Sequence, residues 1–197
     1  MPETRITSGA FRGRVVDSPR GRAMRPTTAL VRKALFDILG DNVEDAVFLD
    51  LYAGTGAVAF EALSRGAARA VLVERDASLL QLARATATRL GCADRVRTVG
   101  ADVLAWLRAR PTDLAAADIA FVDAPYRDDS VQAALEELGD APPRLVVCEH
   151  HRARRLPEEP GGLRRVREAH YGTTQLTFYR REAEPPPTAQ PVGDDTG

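Results

Sequence analysis

From residue 46 onward the hydrophobic pattern switches repeatedly between runs short enough for a buried strand and stretches with helical spacing. AVFLDLY (46–52), AVLVE (70–74), RVRTV (95–99), DIAFVD (118–123) and RLVVCE (144–149) read as strands. GAVAFEALSRGA (56–67), SLLQLARATATRLG (78–91), VLAWLRAR (103–110) and VQAALEELG (131–139) read as helices. Strands and helices that alternate in this way imply a mostly parallel sheet covered by helices on both faces. Such doubly wound sheets bind ligands at the carboxyl ends of their strands.

The flanks break the alternation. RITSGAFRGRVVDSP (5–19) reads as a small β-hairpin around Gly9 and Gly13. RPTTALVRKALFDILG (25–40) reads as a helix, with Val31, Ala34, Leu35, Ile38 and Leu39 in one stripe, Thr27 or Thr28 at its start and Gly40 at its end. LRRVREAHYGTTQLTFYRR (163–181) reads as two strands turning at Gly172, an antiparallel hairpin that closes the sheet. The expected organisation is a basic hairpin extension over 1–26, a larger α/β domain over 27–182 and a Pro-rich tail over 183–197 that stays disordered.

Charge is uneven although the formal net charge is only -1. Residues 1–40 hold eight cationic side chains against three acidic ones, and Lys33 is the only lysine. Guanidinium groups suit bidentate contact with phosphates, so a nucleic-acid partner is one reading and a solvated basic surface the other. No apolar run reaches the ~18–20 residues of a membrane span, and MPETRITSG lacks the apolar core of a secretory signal. Two cysteines, Cys92 and Cys148, are too few for a disulfide framework, and His150, His151 and His170, read as surface or strand-end residues, are too scattered for a metal site. A cytoplasmic protein without metal or membrane association is expected.

The first strand runs into LDLYAGTGAVAFEA (49–62). Gly54 and Gly56 permit a tight turn, but the third glycine of a dinucleotide fingerprint is replaced by Ala59. Glu74 ends the second strand, about 20 residues after the glycines, where a carboxylate can accept both hydroxyls of a ribose. Asp50 precedes the loop, and Asp102 follows the third strand within reach of an adenine amino group. Three carboxylates would repel a pyrophosphate and tolerate a cationic nucleoside. That chemistry favours S-adenosyl-L-methionine over NAD. Each acid also has a plainer role available, as a helix cap or a solvated strand end.

FVDAPY (121–126) ends the fourth strand beside the same crevice. The Asp123 carboxylate and the Ala124 carbonyl can accept hydrogen bonds from an exocyclic amine as it becomes positive. Pro125 stiffens the bend, and Tyr126 offers a face on which a base can stack. These residues alone leave adenine N6, cytosine N4 and guanine N2 open.

Together, LDLYAGTGAVAFEALSRGA, VLVERD and FVDAPY resemble the motifs of class I methyltransferases that modify amino groups of bases. RITSGAFRGRVV, RPTTALVRKALFDIL and YGTTQLTFYRR extend the resemblance to the bacterial RsmD family over roughly residues 4–181. The resemblance implies a Rossmann-like fold with a mostly parallel seven-stranded sheet, a C-terminal antiparallel hairpin and a small N-terminal β-hairpin. It implies transfer of a methyl from S-adenosyl-L-methionine to N2 of a guanine in 16S rRNA, at position 966 of the rRNA, within the assembling or assembled 30S subunit. Its catalytic motif falls on Asp123, Ala124, Pro125 and Tyr126, with Ala124 standing where the family usually has proline. The cofactor set expected is Asp50, Tyr52, Gly54, Gly56, Glu74, Arg75, Asp102 and Val103. Arg5, Arg12, Arg14, Arg25 and Arg32 are expected to grip RNA phosphates around the target loop, and the chain is expected to act as a monomer. Amino-group methylation of DNA or another RNA, and a weakly active RNA-binding assembly factor, are the alternative readings.

Overall fold

Each alternation in the sequence becomes an element of one sheet. A computed structural model describes residues 4–19, 28–125, 129–139 and 142–182. Arg25, Tyr126 and the expected 183–197 tail lie outside the described residues. A two-stranded antiparallel hairpin, β1 (Thr4–Arg5) and β2 (Val15–Val16), comes first. Helix α1 (Ala29–Leu39) follows, its first turn capped by Thr28, whose Oγ1 accepts from the Val31 N–H at 3.3 Å. The chain then alternates through β3 (Val47–Leu51), α2 (Ala57–Ser64), β4 (Arg69–Glu74), α3 (Ala77–Leu90) and β5 (Val96–Gly100). Short helices α4 (Val103–Arg108) and α5 (Thr112–Ala115) lead to β6 (Ile119–Val122), then α6 (Ser130–Gly139) and β7 (Leu145–His151). The long hairpin β8 (Leu163–Tyr171) and β9 (Thr174–Arg181) ends the fold.

Strand order in the seven-stranded sheet is β5-β4-β3-β6-β7-β9-β8. The first five pair in parallel, and β9 pairs antiparallel with both β7 and β8. The chain starts at β3, winds outward to β5, and crosses back to β6. The switch point therefore lies between β3 and β6, where the loops after the two strands part and leave a crevice.

Alternating side chains divide the core into two layers. Phe48, Leu72, Phe121 and Val147 pack with α1, α2 and α3, whereas Leu49, Val73, Val122 and Val146 pack with α4, α5 and α6. Trp106 packs against this second layer, in line with a packing role. His150 is a strand-end residue, as one of the two readings has it, but not a surface one: it is 1% exposed, and Nε2 lies 2.8 Å from Thr177 Oγ1. It is paired with Gln175 one step from the end of the β7–β9 ladder and is buried there, and burial lowers its pKa below the ordinary histidine value.

The N-terminal hairpin is stitched to the helical layer by polar contacts. Gly9 lies so close to α2 that an added Cβ would stand 1.8 Å from Ser64 O, and its φ of +76° is also one that L side chains rarely adopt. The Ala10 N–H donates to Ser64 O at 2.8 Å, and Asp17 accepts from Arg89 on α3 at 2.6 Å. Ile6 and Val16 are buried in the first core layer.

Candidate functional site

The register of the parallel strands builds the site. Leu51 lies opposite Val73 and Val122, and Val122 lies opposite Cys148. One step further along each strand stand Tyr52, Glu74, Asp123 and Glu149, in one row across the carboxyl edge. The main chain continues the pattern past the strands: Ala53 N–H donates to Val73 O at 3.1 Å, and Asp123 N–H points to Leu51 O at 3.5 Å.

The loop after β3 is shaped by backbone angles. Tyr52 has φ +62°, a sparsely populated conformation for a residue with a side chain, of the kind found at ligand sites. Its side chain packs on the second core layer, away from Phe48 and Asp50. Gly56 has φ +80° and opens α2; a Cβ there would stand 2.5 Å from the Leu72 side chain. The Gly56 N–H donates to Ala53 O at 2.8 Å.

Three acids sit near this loop in three different states. Glu74 is half-buried, and both its oxygens are held: Oε2 accepts from the Gly54 N–H at 3.1 Å and Oε1 from the Asp76 N–H at 2.9 Å. These bonds fix the carboxylate at the strand end while leaving lone pairs for a ligand. Asp102 is exposed and caps α4, with Oδ1 accepting from the Ala105 N–H at 3.0 Å. Asp50 is buried, and Oδ2 accepts from the Ala59 N–H in the first turn of α2 at 3.1 Å. Burial pushes the Asp50 carboxyl up to about 7; the bond from Ala59 opposes the rise and the nearby Glu74 charge adds to it. Asp50 thus ties the start of α2 to β3 from behind the loop. Arg75 is exposed, and the Val103 side chain belongs to the second core layer.

The loop amides favour some ligands over others. Gly54, Gly56 and Ala59 direct their N–H groups to Glu74, Ala53 and Asp50. In a phosphate-binding loop such amides would face the ligand. Here they are engaged internally, and the edge presents carboxylates instead. The donor and acceptor set therefore fits a ribose and a cationic group and is ill-suited to a pyrophosphate.

At the β6 end, Asp123 is half-buried, the Ala124 methyl is buried in the second core layer and Pro125 is exposed. The alanine that stands where the resemblance leads one to expect proline is thus a packing residue whose carbonyl belongs to the edge. Cys148 lies beneath this edge; its thiol is fully buried, and burial pushes it far above the ordinary range, so it is inert as a nucleophile. Among the described residues, no group of three or more His, Cys, Asp or Glu could hold a metal ion. Among the same residues, no helix is long and apolar enough to cross a membrane.

The arginine expectation needs correction at one position. Arg32 is 2% exposed and cannot meet RNA phosphates. Its Nε pairs with Glu61 Oε2 at 3.3 Å, and its Nη2 donates to Arg5 O at 2.6 Å. A guanidinium buried in α1 and paired with the fully buried Glu61 of α2 is structural. Arg5, Arg12 and Arg14 are exposed, although Arg5 donates to Gly13 O at 2.9 Å and Arg14 to Arg89 O at 3.2 Å. The hairpin turn that carries Arg12 docks through Ala10 and Phe11 on Ser64, at the far end of α2 from Gly56, about 12 Å along the helix axis. Arg12 and Arg14 therefore stand away from the carboxyl edge. Glu149, which the sequence pattern does not single out, enters the row through strand pairing alone.

Known proteins resemble the chain over nearly its whole length. A family model described as "Conserved hypothetical protein 95" matches residues 4–180. Ribosomal RNA small subunit methyltransferase D of Escherichia coli (strain K12) is 35% identical over 187 residues, covering 92% of this chain and 92% of that protein. The solved structure of yhhF from Escherichia coli superposes with a TM-score of 0.80 at 31% identity, covering 93% of this chain and 100% of that one. An RNA methyltransferase from Salinibacter ruber, solved in complex with S-adenosyl-L-homocysteine, shares the fold with a TM-score of 0.62 at 21% identity, over 82% of this chain and 97% of that one.

Proposed function

The chain belongs to the RsmD family, the family of Conserved hypothetical protein 95, and from this premise we propose that it is an S-adenosyl-L-methionine-dependent rRNA methyltransferase. The amine it modifies is N2 of a guanine in 16S rRNA of the small ribosomal subunit. The observation that carries this reading is the row of carboxylates along one strand edge, behind a glycine loop whose amides are engaged internally. The name of the Escherichia coli relative supports small-subunit rRNA as the substrate class.

When bound, S-adenosyl-L-methionine supplies a methyl group on an electrophilic sulfonium. Glu74, oriented by two backbone amides, accepts the ribose hydroxyls, and Asp102 meets the adenine amine with the oxygen not engaged in capping. Asp50 holds α2 and its preceding loop against β3. Asp123 and the Ala124 carbonyl accept N–H bonds from the target amine. They orient its lone pair and stabilise the positive charge that grows on nitrogen. The surplus amine proton then leaves towards Asp123 or water. Tyr126 stacks on the extruded base.

The test is transfer of a labelled methyl to 30S subunits, naked 16S rRNA and duplex DNA, followed by nuclease digestion and identification of the methylated nucleoside. N2-methylguanosine from the small-subunit substrate is the expected product. Transfer to DNA, or to adenine or cytosine, would replace this reading with another amino-group specificity.

A further inference from the structure

Glu149 is 4% exposed and lies in β7, one step beyond the Cys148–Val122 pair. Continued one residue past the end of β6, that register sets it beside Asp123. Side chains at matched positions of parallel strands share a face. Phe121 and Val147, each two residues earlier, confirm the parity, because both lie in the first core layer. On its other side Glu149 is in register with Leu176, which is fully buried. A valine or leucine at this position would extend the core as Val147 does. A carboxylate there carries a desolvation cost and stands next to a second carboxylate.

The chemistry of the target base gives that arrangement a use. Guanine presents two donors side by side on its Watson–Crick edge, N1–H and the N2 amine. Adenine and cytosine present a single amine beside a ring nitrogen that is an acceptor. One carboxylate that holds an amine cannot tell the three bases apart. Two carboxylates in a row can, because the second accepts from guanine N1–H and repels the lone pair of adenine N1 or cytosine N3. We propose that Glu149 is the residue that selects guanine, accepting the N1–H while Asp123 and the Ala124 carbonyl accept the N2 amine. This inference rests on the methyltransferase reading above and supplies the base discrimination that Asp123 alone lacks.

The experiment uses 30S subunits reconstituted with ligated 16S rRNA carrying guanine or 2-aminopurine at the methylated position. 2-Aminopurine keeps the N2 amine and replaces N1–H with an acceptor. Wild-type enzyme should prefer guanine in kcat/KM. In Glu149→Gln the amide can donate to the 2-aminopurine N1, so the guanine preference should fall by roughly 10- to 100-fold, the range of a hydrogen bond to a charged acceptor. The melting temperature and the affinity for S-adenosyl-L-methionine should hold. Equal losses on both substrates, or an unchanged preference, would make Glu149 a structural residue only. If the variant does not fold, wild-type binding decides in the presence of S-adenosyl-L-homocysteine, where no transfer occurs. Affinity for the 2-aminopurine subunit should be at least about 10-fold weaker, and equal affinities overturn the inference. Wild-type enzyme that leaves the guanine subunit unmethylated overturns the methyltransferase reading itself, and is told apart from a failure of base selection by that control.

Discussion

Asp50 and Glu61 are both buried carboxylates, some ten residues apart in the chain, yet they live in opposite circumstances. Glu61 is surrounded by donors: the Thr7 N–H and hydroxyl, the Ser8 N–H, Arg32 Nε and Arg65 Nε all reach it within 3.3 Å. Two of those donors are guanidinium groups. Asp50 accepts one backbone N–H at 3.1 Å, and burial raises its carboxyl to about 7. The saturated acid holds three segments together: the N-terminal hairpin, α1 and α2. The sparsely bonded acid sits behind the loop proposed to hold a cationic ligand. A buried charge surrounded by donors reads as architecture. One left with a single donor beside a strand end reads as the support of a site, held from behind the loop.

The sharpest way to break that contrast is to remove a partner from Glu61. Arg32→Ala should cost about 3–5 kcal/mol of stability, because it strands a buried carboxylate without its innermost cation. For a domain of this size that is a fall in Tm of roughly 6–20 °C, read by thermal melting. The affinity for RNA in the folded fraction should hold. A variant with wild-type Tm and weakened RNA binding would return Arg32 to the RNA-contacting group and undo the structural reading of Glu61.

At the carboxyl edge, proposed to be catalytic, the expectation is reversed. Asp123→Ala should leave the melting temperature nearly unchanged while single-turnover methylation, at saturating S-adenosyl-L-methionine, slows by roughly 10²–10³, or about 2.7–4 kcal/mol. A folded variant that methylates at the wild-type rate would reduce FVDAP to a strand end and a turn.

Much of this division is legible in the sequence, and the part that is not has a physical reason. The strands and long helices follow from periodicity, and their observed bounds differ from the expected ones by a few residues at most. The exceptions are α5 (Thr112–Ala115) and the 3₁₀ turns Gly40–Val43 and Ala93–Arg95, single turns too short to show a period. Parity alone also places Asp50 on the face of Phe48, which is enough to anticipate its burial. Arg32 carries a similar signal, since Arg32, Phe36 and Leu39 recur at helical spacing and all three are buried. Of the partners of Glu61 only Arg65, four residues on, is local; Thr7 is 54 residues away and cannot be read from the pattern. Glu149 stays hidden for the same reason: its place beside Asp123 comes from strand pairing, which a sequence pattern does not specify.

Acidity sharpens the comparison from the Asp50 side. Its pKa is raised on folding from 3.8 to about 7, so between those values the folded state holds a proton that the unfolded state has released. The stabilisation from the neutral carboxyl is complete below about pH 4, is lost as pH rises through 7, and changes no further above that. The slope in this window is at most about 1.4 kcal/mol per pH unit. Asp50→Asn keeps an oxygen for the Ala59 N–H and removes the titration. Urea unfolding at pH 5, 6, 7 and 8 should show wild type losing stability relative to the variant as pH rises. A constant difference between the two would mean that Asp50 titrates normally and that burial does not set its state.

The smallest expected effect concerns the exposed arginines, where the two regions must cooperate if the RNA reading is right. Arg12 and Arg14 sit on the hairpin turn at the far end of α2, while Asp123 and Glu149 stand at the carboxyl edge. A base held at the edge cannot also have its own phosphate at Arg12, so any contact there is with RNA further along the chain or in a neighbouring helix. Replacing both arginines with alanine should leave Tm and S-adenosyl-L-methionine affinity intact, because neither residue is buried. Binding to 30S subunits should weaken, and its logarithmic salt slope should flatten by roughly 0.7 for each single-stranded phosphate that the variant no longer neutralises. On a short stem-loop that carries only the target nucleotide, the double variant should bind as wild type does. An unchanged slope on the 30S subunit would leave these guanidinium groups as solvated surface. A changed slope on the short stem-loop would mean that the hairpin approaches the target more closely than its docking on Ser64 and Arg89 allows, and the two regions would then have to move together when RNA binds.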